Sequence, residues 1–193
     1  AGFQHTCAVF TDRELKCWGD NKFAQLGLGD TTDRGDDINN MGDNLPFVNL
    51  GTGRTVKSIS CGVEHTCAIL DDNALKCWGK ALYGKLGNGG TSNSYTIGDQ
   101  PNEMGNNLPT VNLGDGRVAV SVTTGRYHNC VLLQDGDVKC WGRNDYGQLG
   151  QGDNADRGGA PGEMGDDLLI VPLGTNVTVK ALVSAPTADH TCV

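Results

Sequence analysis

The sequence predicts an all-β repeat protein, and three observations support this. A His-Thr-Cys or His-Asn-Cys motif recurs about every sixty residues, and a Cys-Trp-Gly motif follows each of the first three copies. The chain of 193 residues contains 29 glycines without a collagen-like period, which indicates many tight turns. No segment has the 3.6-residue hydrophobic period of a helix. We therefore predict a partial β-propeller, whereas a horseshoe solenoid, the alternative, would have a shorter period.

The repeat unit is defined by the first cysteine of each copy. These cysteines, at positions 7, 67, 130 and 192, lie 60, 63 and 62 residues apart. Each complete unit continues with a Leu-Gly turn, a polar loop containing Met-Gly, and a closing segment such as LPTVNLG. The predicted units are three blades, 1–54, 55–117 and 118–180, and the start of a fourth repeat, 181–193.

Each blade is predicted to contain four antiparallel strands. Thr55–Ser60 alternates apolar and polar residues, as a half-buried strand does. HTCAIL and ALKCWG flank the turn residues Asp71–Asn73 and should form a hairpin. The closing segment LPTVNLG supplies the predicted fourth strand, and its Pro109 suits a strand start or a sheet edge.

The hairpin cysteines are spaced for disulfide bonds. A separation of ten residues places Cys7 and Cys17 directly opposite each other, with Cβ atoms about 4.5–5.5 Å apart. Val9 and Leu15 then share the same face as a second cross-strand pair. The predicted disulfides join Cys7 to Cys17, Cys67 to Cys77 and Cys130 to Cys140.

Zinc is the competing interpretation of these cysteines, with free buried thiols as a third. His5, Cys7 and Cys17 would share one face and offer nitrogen and sulfur ligands, but no repeated residue supplies a fourth ligand. Two cysteines have no partner within the predicted pairs. Cys192 opens the fourth repeat, and Cys61 has no counterpart in the other repeats.

Composition excludes several classes of function. The net charge of -8 argues against nucleic acid as a partner, because phosphate binding needs a basic face. Apolar runs are too short for membrane insertion. Three disulfides imply an oxidising compartment, so we expect an extracellular location, either secreted or at the cell surface. The chain shows no signal peptide and begins inside a repeat, which suggests a fragment of a larger protein.

The repeated histidines and tryptophans are expected to be structural. A residue present in every blade usually has a structural role there, so we expect each histidine to be structural, for example by bonding a backbone group with its imidazole. Trp18, Trp78 and Trp141 each follow a cysteine and so point to the opposite face, where they should pack between blades. No catalytic nucleophile with a matching base stands out, so we predict that the protein is not an enzyme.

The loops differ between copies and are candidates for binding. The first and third are rich in acids, and the second carries Ser, Asn and Thr instead. No cofactor is expected, although oxygen-rich loops can hold calcium. Asn176 begins the only glycosylation sequon, in a predicted surface turn. The acidic residues are Asp30, Asp33, Asp36, Asp37 and Asp43 in the first loop, and Asp153, Asp156, Glu163, Asp166 and Asp167 in the third.

The repeat resembles that of the regulator of chromosome condensation family. The likeness is carried by the Gly and His that open each unit, the central Trp-Gly, and Asn-x-x-Gly-Gln-Leu-Gly, seen at Trp141–Gly150. It covers nearly the whole chain and implies a propeller of about seven blades. Ala24 stands where the pattern has glycine and Lys85 where it has glutamine. The cysteine pairs and long Met-Gly loops are similar to those of extracellular variants of the family.

The function predicted from these features is a non-enzymatic extracellular module of a larger cell-surface or filament-forming glycoprotein. Its partners would be the remaining blades, neighbouring subunits or polysaccharide, contacted through the loops. A secreted binder or inhibitor of another protein is the alternative. The resemblance also implies guanine nucleotide exchange, because the founding member of the family is a nuclear protein that acts on a small GTPase. This activity is disfavoured, since disulfides and a missing basic arm do not fit a nuclear setting.

Overall fold

The computed structural model describes residues 1–89 and 95–193, which form three antiparallel β-sheets. The only helices in these two ranges are 3-10 turns of three residues, so the all-β class is confirmed. The strands are β1 His5–Val9, β2 Leu15–Gly19, β3 Val56–Cys61, β4 His65–Leu70, β5 Leu75–Lys80, β6 Thr96–Ile97, β7 Ala119–Thr124, β8 His128–Leu133 and β9 Val138–Gly142.

The same hairpin occurs in all three sheets, as β1–β2, β4–β5 and β8–β9. In each, the two cysteines are directly opposed, and the apolar pair two residues further along, such as Val9 and Leu15, is opposed as well. The register therefore agrees with the prediction from the ten-residue spacing. The turn needs one left-handed residue, supplied by Arg13, Asn73 and Gly136 at φ 68°, 67° and 89°.

Strands β3 and β7 each add an antiparallel strand to one side of a hairpin. Each contains an irregularity, between Val56 and Ser58 in β3 and between Ala119 and Ser121 in β7. Such a bulge increases the local twist that a propeller blade requires. The second sheet has the strand order β3-β4-β5-β6 and the third β7-β8-β9, whereas the first consists of β1 and β2.

The predicted fourth strand is wrong in its position. The segment containing Pro109 forms no regular strand, and it joins the sheet through the backbone hydrogen bond from Val111 N to Leu75 O at 2.7 Å. The fourth strand of the second sheet is instead β6, which pairs with the end of β5. Because the polar loop crosses the sheet edge between these two points, the pairing is split into short pieces, and proline interrupts the ladder further.

The core lies between consecutive sheets as well as within them. Trp78, Met104 and Gly27 meet where the second repeat packs on the first: a Cβ added at Gly27 would lie 2.7 Å from the Trp78 Nε1 atom and 2.9 Å from the Met104 Cε atom. Gly27 also has a left-handed φ of 71°. Position 27 therefore requires glycine for two reasons, the left-handed turn and the close approach of Trp78 and Met104. No helix in the described part of the chain is long and apolar enough to cross a membrane.

Candidate functional site

The disulfides that the spacing predicts are present in all three hairpins. Each pair of cysteines has a Cα–Cα distance of 4.1 Å, close to what directly opposed strand residues allow without displacement of the backbone. Cys17, Cys67 and Cys130 are fully buried. The disulfides therefore lie inside the packed blades and fix the hairpins that carry the neighbouring histidines and tryptophans.

The histidines connect consecutive repeats, but not through backbone groups as we expected. The His5 Nε2 atom lies 2.9 Å from the Thr66 hydroxyl oxygen, and the His65 Nε2 atom lies 2.7 Å from the Asn129 amide oxygen. Thr66 and Asn129 each follow the histidine of the next repeat. The histidine of one repeat therefore contacts the middle residue of the same motif in the next repeat. The packing of the blades places these imidazoles beside side chains of the next repeat rather than beside free carbonyls.

Burial keeps these imidazoles neutral. Loss of water lowers the pKa of His128 to about 4 and lowers that of His65 well below its ordinary value. A neutral imidazole can donate from one nitrogen only, and the Asn129 amide oxygen fixes the donor as Nε2 of His65. The histidines are thus positioned as neutral links between blades.

The tryptophans pack between the blades, as predicted. Trp78 and Trp141 are fully buried, and their indole N–H groups donate to the carbonyl oxygens of Gln25 and Lys85, each at 3.1 Å. Gln25 and Lys85 are equivalent positions of preceding repeats. Because the backbone carbonyl is the acceptor, lysine replaces glutamine at position 85 without loss of this contact.

Cys61 lies beside the first hairpin, where the zinc interpretation lacked a ligand. Within the described residues, His5, Cys7 and Cys61 form the one group of potential metal ligands whose atoms all lie within 4.8 Å of one another. Cys7 is bonded to Cys17, however, and a disulfide sulfur does not offer the thiolate that zinc binds. Cys192, the other cysteine outside the disulfides, is exposed.

The acidic loops use their carboxylates to hold turns. Asp30 accepts from the Asn21 amide and binds Arg34 at 2.7 Å, while Asp33 accepts from the Asn21 backbone N–H. Glu163 likewise accepts from the backbone N–H groups of Gly159 and Ala160. These contacts tie each carboxylate to polar groups of its own loop. Calcium binding in the loops stays a prediction, and the Ser-, Asn- and Thr-rich part of the second loop, 91–94, lies outside the described residues.

Asn176 lies in an exposed turn, with φ 61°. The equivalent positions of the first two repeats are Gly53 and Gly116, both left-handed, at φ 70° and 69°. Asparagine tolerates this conformation better than other non-glycine residues, so the sequon occupies a turn that asparagine itself can close. Its exposure is compatible with glycosylation, which stays a prediction.

Aromatic and cationic side chains gather at the histidine end of the strands. Phe23, Tyr83 and Tyr146 occupy equivalent positions in the three repeats, two residues before Gln or Lys of the Leu-Gly turn. Each of the first two meets the cation that follows Trp-Gly in the next repeat: Lys80 Nζ lies 3.9 Å from the Phe23 ring centroid, and the Arg143 guanidinium 5.3 Å from that of Tyr83. These distances are in the range of cation–π contacts.

The centre of this end is a tyrosine–arginine patch, which we define as Tyr83, Tyr127, Tyr146, Arg126 and Arg143. The Arg143 guanidinium also lies 5.7 Å from the Tyr127 ring and 5.8 Å from the Tyr146 ring. The rings of Tyr83 and Tyr127 are 5.5 Å apart. Tyr83 is 41% exposed and Tyr146 73% exposed, so the patch presents open aromatic surface.

Sequence reasoning missed this patch. The loops were considered only for their acidic and polar residues, yet an aromatic residue recurs at one fixed position of each repeat. That recurrence was the available signal. Tyr127 carried none, because the equivalent residues are Gln4 and Glu64 and only the packing of blades places it beside Tyr83.

The sheets, the hairpin disulfides and the contacts between blades are those of a β-propeller built from repeats. Comparison with known proteins then identifies the family: the chain belongs to the regulator of chromosome condensation (RCC1) repeat family. Two sequence patterns of this repeat match, one at residues 1–25, 56–85 and 119–148, the other at residues 17–69 and 135–165.

Over the matched regions, about three in ten residues of the chain are identical to those of its curated relatives. The chain is 31% identical to the ultraviolet-B receptor UVR8 of Arabidopsis thaliana over 158 residues, 81% of this chain and 31% of that protein. It is 29% identical to the human E3 ubiquitin-protein ligase HERC2 over 79% of this chain and 3% of that protein. The chain thus spans less than a third of the length of either relative.

Solved structures support the propeller fold. Yeast RCC1 (Prp20), solved with Kap60 bound, matches with a TM-score of 0.64 and 24% identity over 96% of this chain and 38% of that chain. Human WBSCR16 matches with a TM-score of 0.63 and 20% identity over 83% of this chain and 35% of that chain. The prediction of a β-propeller is confirmed.

Proposed function

We propose that this chain is a segment of an extracellular, non-enzymatic interaction module that contacts neighbouring protein subunits through the tyrosine–arginine patch. The family supports the broader part of this proposal, because its propellers include yeast RCC1 (Prp20), which was solved with a bound protein, Kap60. The extracellular location, the glycoprotein nature and the partner class are our own additions.

The observation that carries the proposal is the exposed patch on a fixed scaffold. Tyrosine and arginine are enriched among the residues that dominate protein interfaces, since a rigid ring buries a large area at small entropic cost. Two residues of the patch are close in sequence to buried, hydrogen-bonded side chains: Tyr127 precedes His128, and Arg143 lies two residues after Trp141. Pre-ordered side chains of this kind lose little freedom on binding, which favours affinity.

The extracellular location is supported by the three disulfides and by the exposed Asn176. Buried hairpin disulfides are typical of proteins folded in oxidising compartments. A non-enzymatic role is supported by the histidines, which are committed to inter-blade contacts rather than to an accessible site. The patch also fits a secreted binder or inhibitor, in which case the neighbouring protein would be its target.

Site-specific photo-crosslinking would test the surface. A benzophenone amino acid placed at Tyr146 in the full-length protein, expressed in its own secretory cells, should yield covalent adducts with a protein partner. The matched control is the same label at Phe10, which is 46% exposed at the opposite end of the strands. Equal adducts at both positions, or glycan adducts alone at Tyr146, would contradict the proposed protein contact.

Secretion and glycosylation form the second test. The protein recovered from the medium should carry glycan at Asn176, removable by an endoglycosidase, and the N176Q variant should lose that mobility shift. A protein retained in the cytosol with free thiols at Cys67 and Cys77 would overturn the extracellular assignment.

A further inference from the structure

Cys61 has no cysteine counterpart in the other repeats, and it lies beside the disulfide of the first hairpin. It lies at the end of β3, is 4% exposed, and belongs to the second repeat, yet its sulfur is within 4.8 Å of the Cys7 sulfur of the first repeat. Cys61 is directly opposed to Thr66 in the pairing of β3 with β4, and the His5 ring of the first repeat lies within the same 4.8 Å. A thiol therefore rests against a disulfide, held there by contacts from two repeats.

The other repeats show that this arrangement is particular to one hairpin. Thr124 occupies the equivalent place next to the second hairpin, where its hydroxyl lies 2.8 Å from that of Ser60. The backbone around it is the same: Cys61 is opposed to Thr66 just as Thr124 is opposed to Asn129. The fold thus provides a matched internal control that lacks only the sulfur.

We propose that Cys61 is a resident nucleophile that transfers Cys7 from its hairpin partner Cys17 to an inter-blade disulfide with Cys61. In the exchange, Cys61 loses its proton and its sulfur attacks the Cys7 sulfur. The Cys7–Cys61 bond forms, the Cys7–Cys17 bond breaks, and Cys17 leaves as a thiolate that takes up a proton. One disulfide and one thiol are present before and after, so no oxidant or reductant is consumed.

The exchange would change what the disulfide holds together. The Cys7–Cys17 bond closes a separation of 10 residues within one hairpin. A bond between Cys7 and Cys61 would instead tie the first blade covalently to the second and close a much longer loop, which restricts the unfolded chain more. Burial raises the pKa of the Cys61 thiol, which lowers its thiolate fraction and slows its attack on the hairpin disulfide.

Removal of one hairpin partner tests whether Cys61 can take the place of Cys17 as the partner of Cys7. Each variant is refolded in a buffer of reduced and oxidised glutathione, because joining two thiols requires an oxidant. All proteins would carry C192S, so that the exposed thiol is absent. In the C17S variant, non-reducing peptide mass spectrometry should find most of Cys7 joined to Cys61. In the matched C77S variant, most of Cys67 should remain a free thiol, because Thr124 stands in the place of the nucleophile. Cys7 as free in C17S as Cys67 is in C77S would overturn the proposal.

A transplanted thiol keeps the test decisive if C17S fails to fold. The Thr124→Cys change in the C77S background should convert Cys67 from a free thiol to a disulfide with position 124, at least tenfold more than in C77S alone. No such conversion in a protein with native circular dichroism would overturn the inter-blade geometry on which the proposal rests.

Discussion

The two ends of the strands use the same repeated backbone in opposite ways. At the histidine end, buried side chains cross from one repeat to the next, as in the contact of His65 with Asn129. At the hairpin-turn end, charged residues form exposed local pairs, such as Arg117 with Asp135 and Asp137. Burial makes the first set of contacts costly to disturb and leaves the second set screened by water. The rigid end is also the one that carries the tyrosine–arginine patch.

The largest effect should follow removal of an inter-blade tryptophan. We expect W78A to lower the free energy of unfolding by about 3–5 kcal/mol, because it leaves a cavity between blades and an unpaired Gln25 carbonyl. Urea titration with the disulfides intact would measure this. W18A, at a half-buried equivalent position, should cost less than half as much; equal losses would show that inter-blade burial is not the cause.

Acid should weaken the histidine end first. His128 has a pKa of about 4 in the fold and about 6.5 in the unfolded chain, so between these values the unfolded state binds more protons. The contribution of neutral His128 to the free energy of unfolding is therefore fully present above pH 6.5. It is lost as the pH drops towards 4, by on the order of 3 kcal/mol. The difference in unfolding free energy between wild type and H128Q should shrink across that window. A constant difference would refute a neutral buried histidine.

Backbone conformation at the start of the Leu-Gly turn should have a moderate effect. Ala24 has φ 57° where the third repeat has Gly147 at φ 74°. We expect A24G to stabilise the fold by about 1 kcal/mol and G147A to destabilise it by a similar amount, since only glycine adopts this region without strain. A Cβ added at position 147 would meet only the Asn154 Oδ1 atom at 4.0 Å, an ordinary contact, so the test isolates the backbone. Two changes of the same sign would refute it.

The smallest effect belongs to the turn end. R117A removes two ion pairs whose side chains are between about a quarter and half exposed, and it should change the free energy of unfolding by less than about 1 kcal/mol. Thermal unfolding at low and high salt would measure it, and the difference should vanish at high salt. A larger, salt-independent loss would mean that the two ends are not as different as their burial indicates.

Much of the fold could be predicted because its information is local in sequence. Ten residues between Cys67 and Cys77 fix both the hairpin register and the disulfide, since side chains alternate along a strand. The fourth strand was misplaced because Pro109 lies in an apolar run that mimics a strand. Its pairing depends on where a long polar loop crosses the sheet edge, which alternation does not encode.

The sequence by itself determined the repeat, because the same motifs recur about every sixty residues. It also determined the hairpins and their disulfides, because these depend on residues about ten positions apart whose side chains alternate along a strand. The tertiary structure alone decided which residues of successive repeats meet. Cys61 beside Cys7, His5 beside Thr66 and Tyr83 beside Tyr127 are 44 to 61 residues apart. Their contacts depend on the twist and stacking of whole blades, which is set by packing rather than by any local pattern.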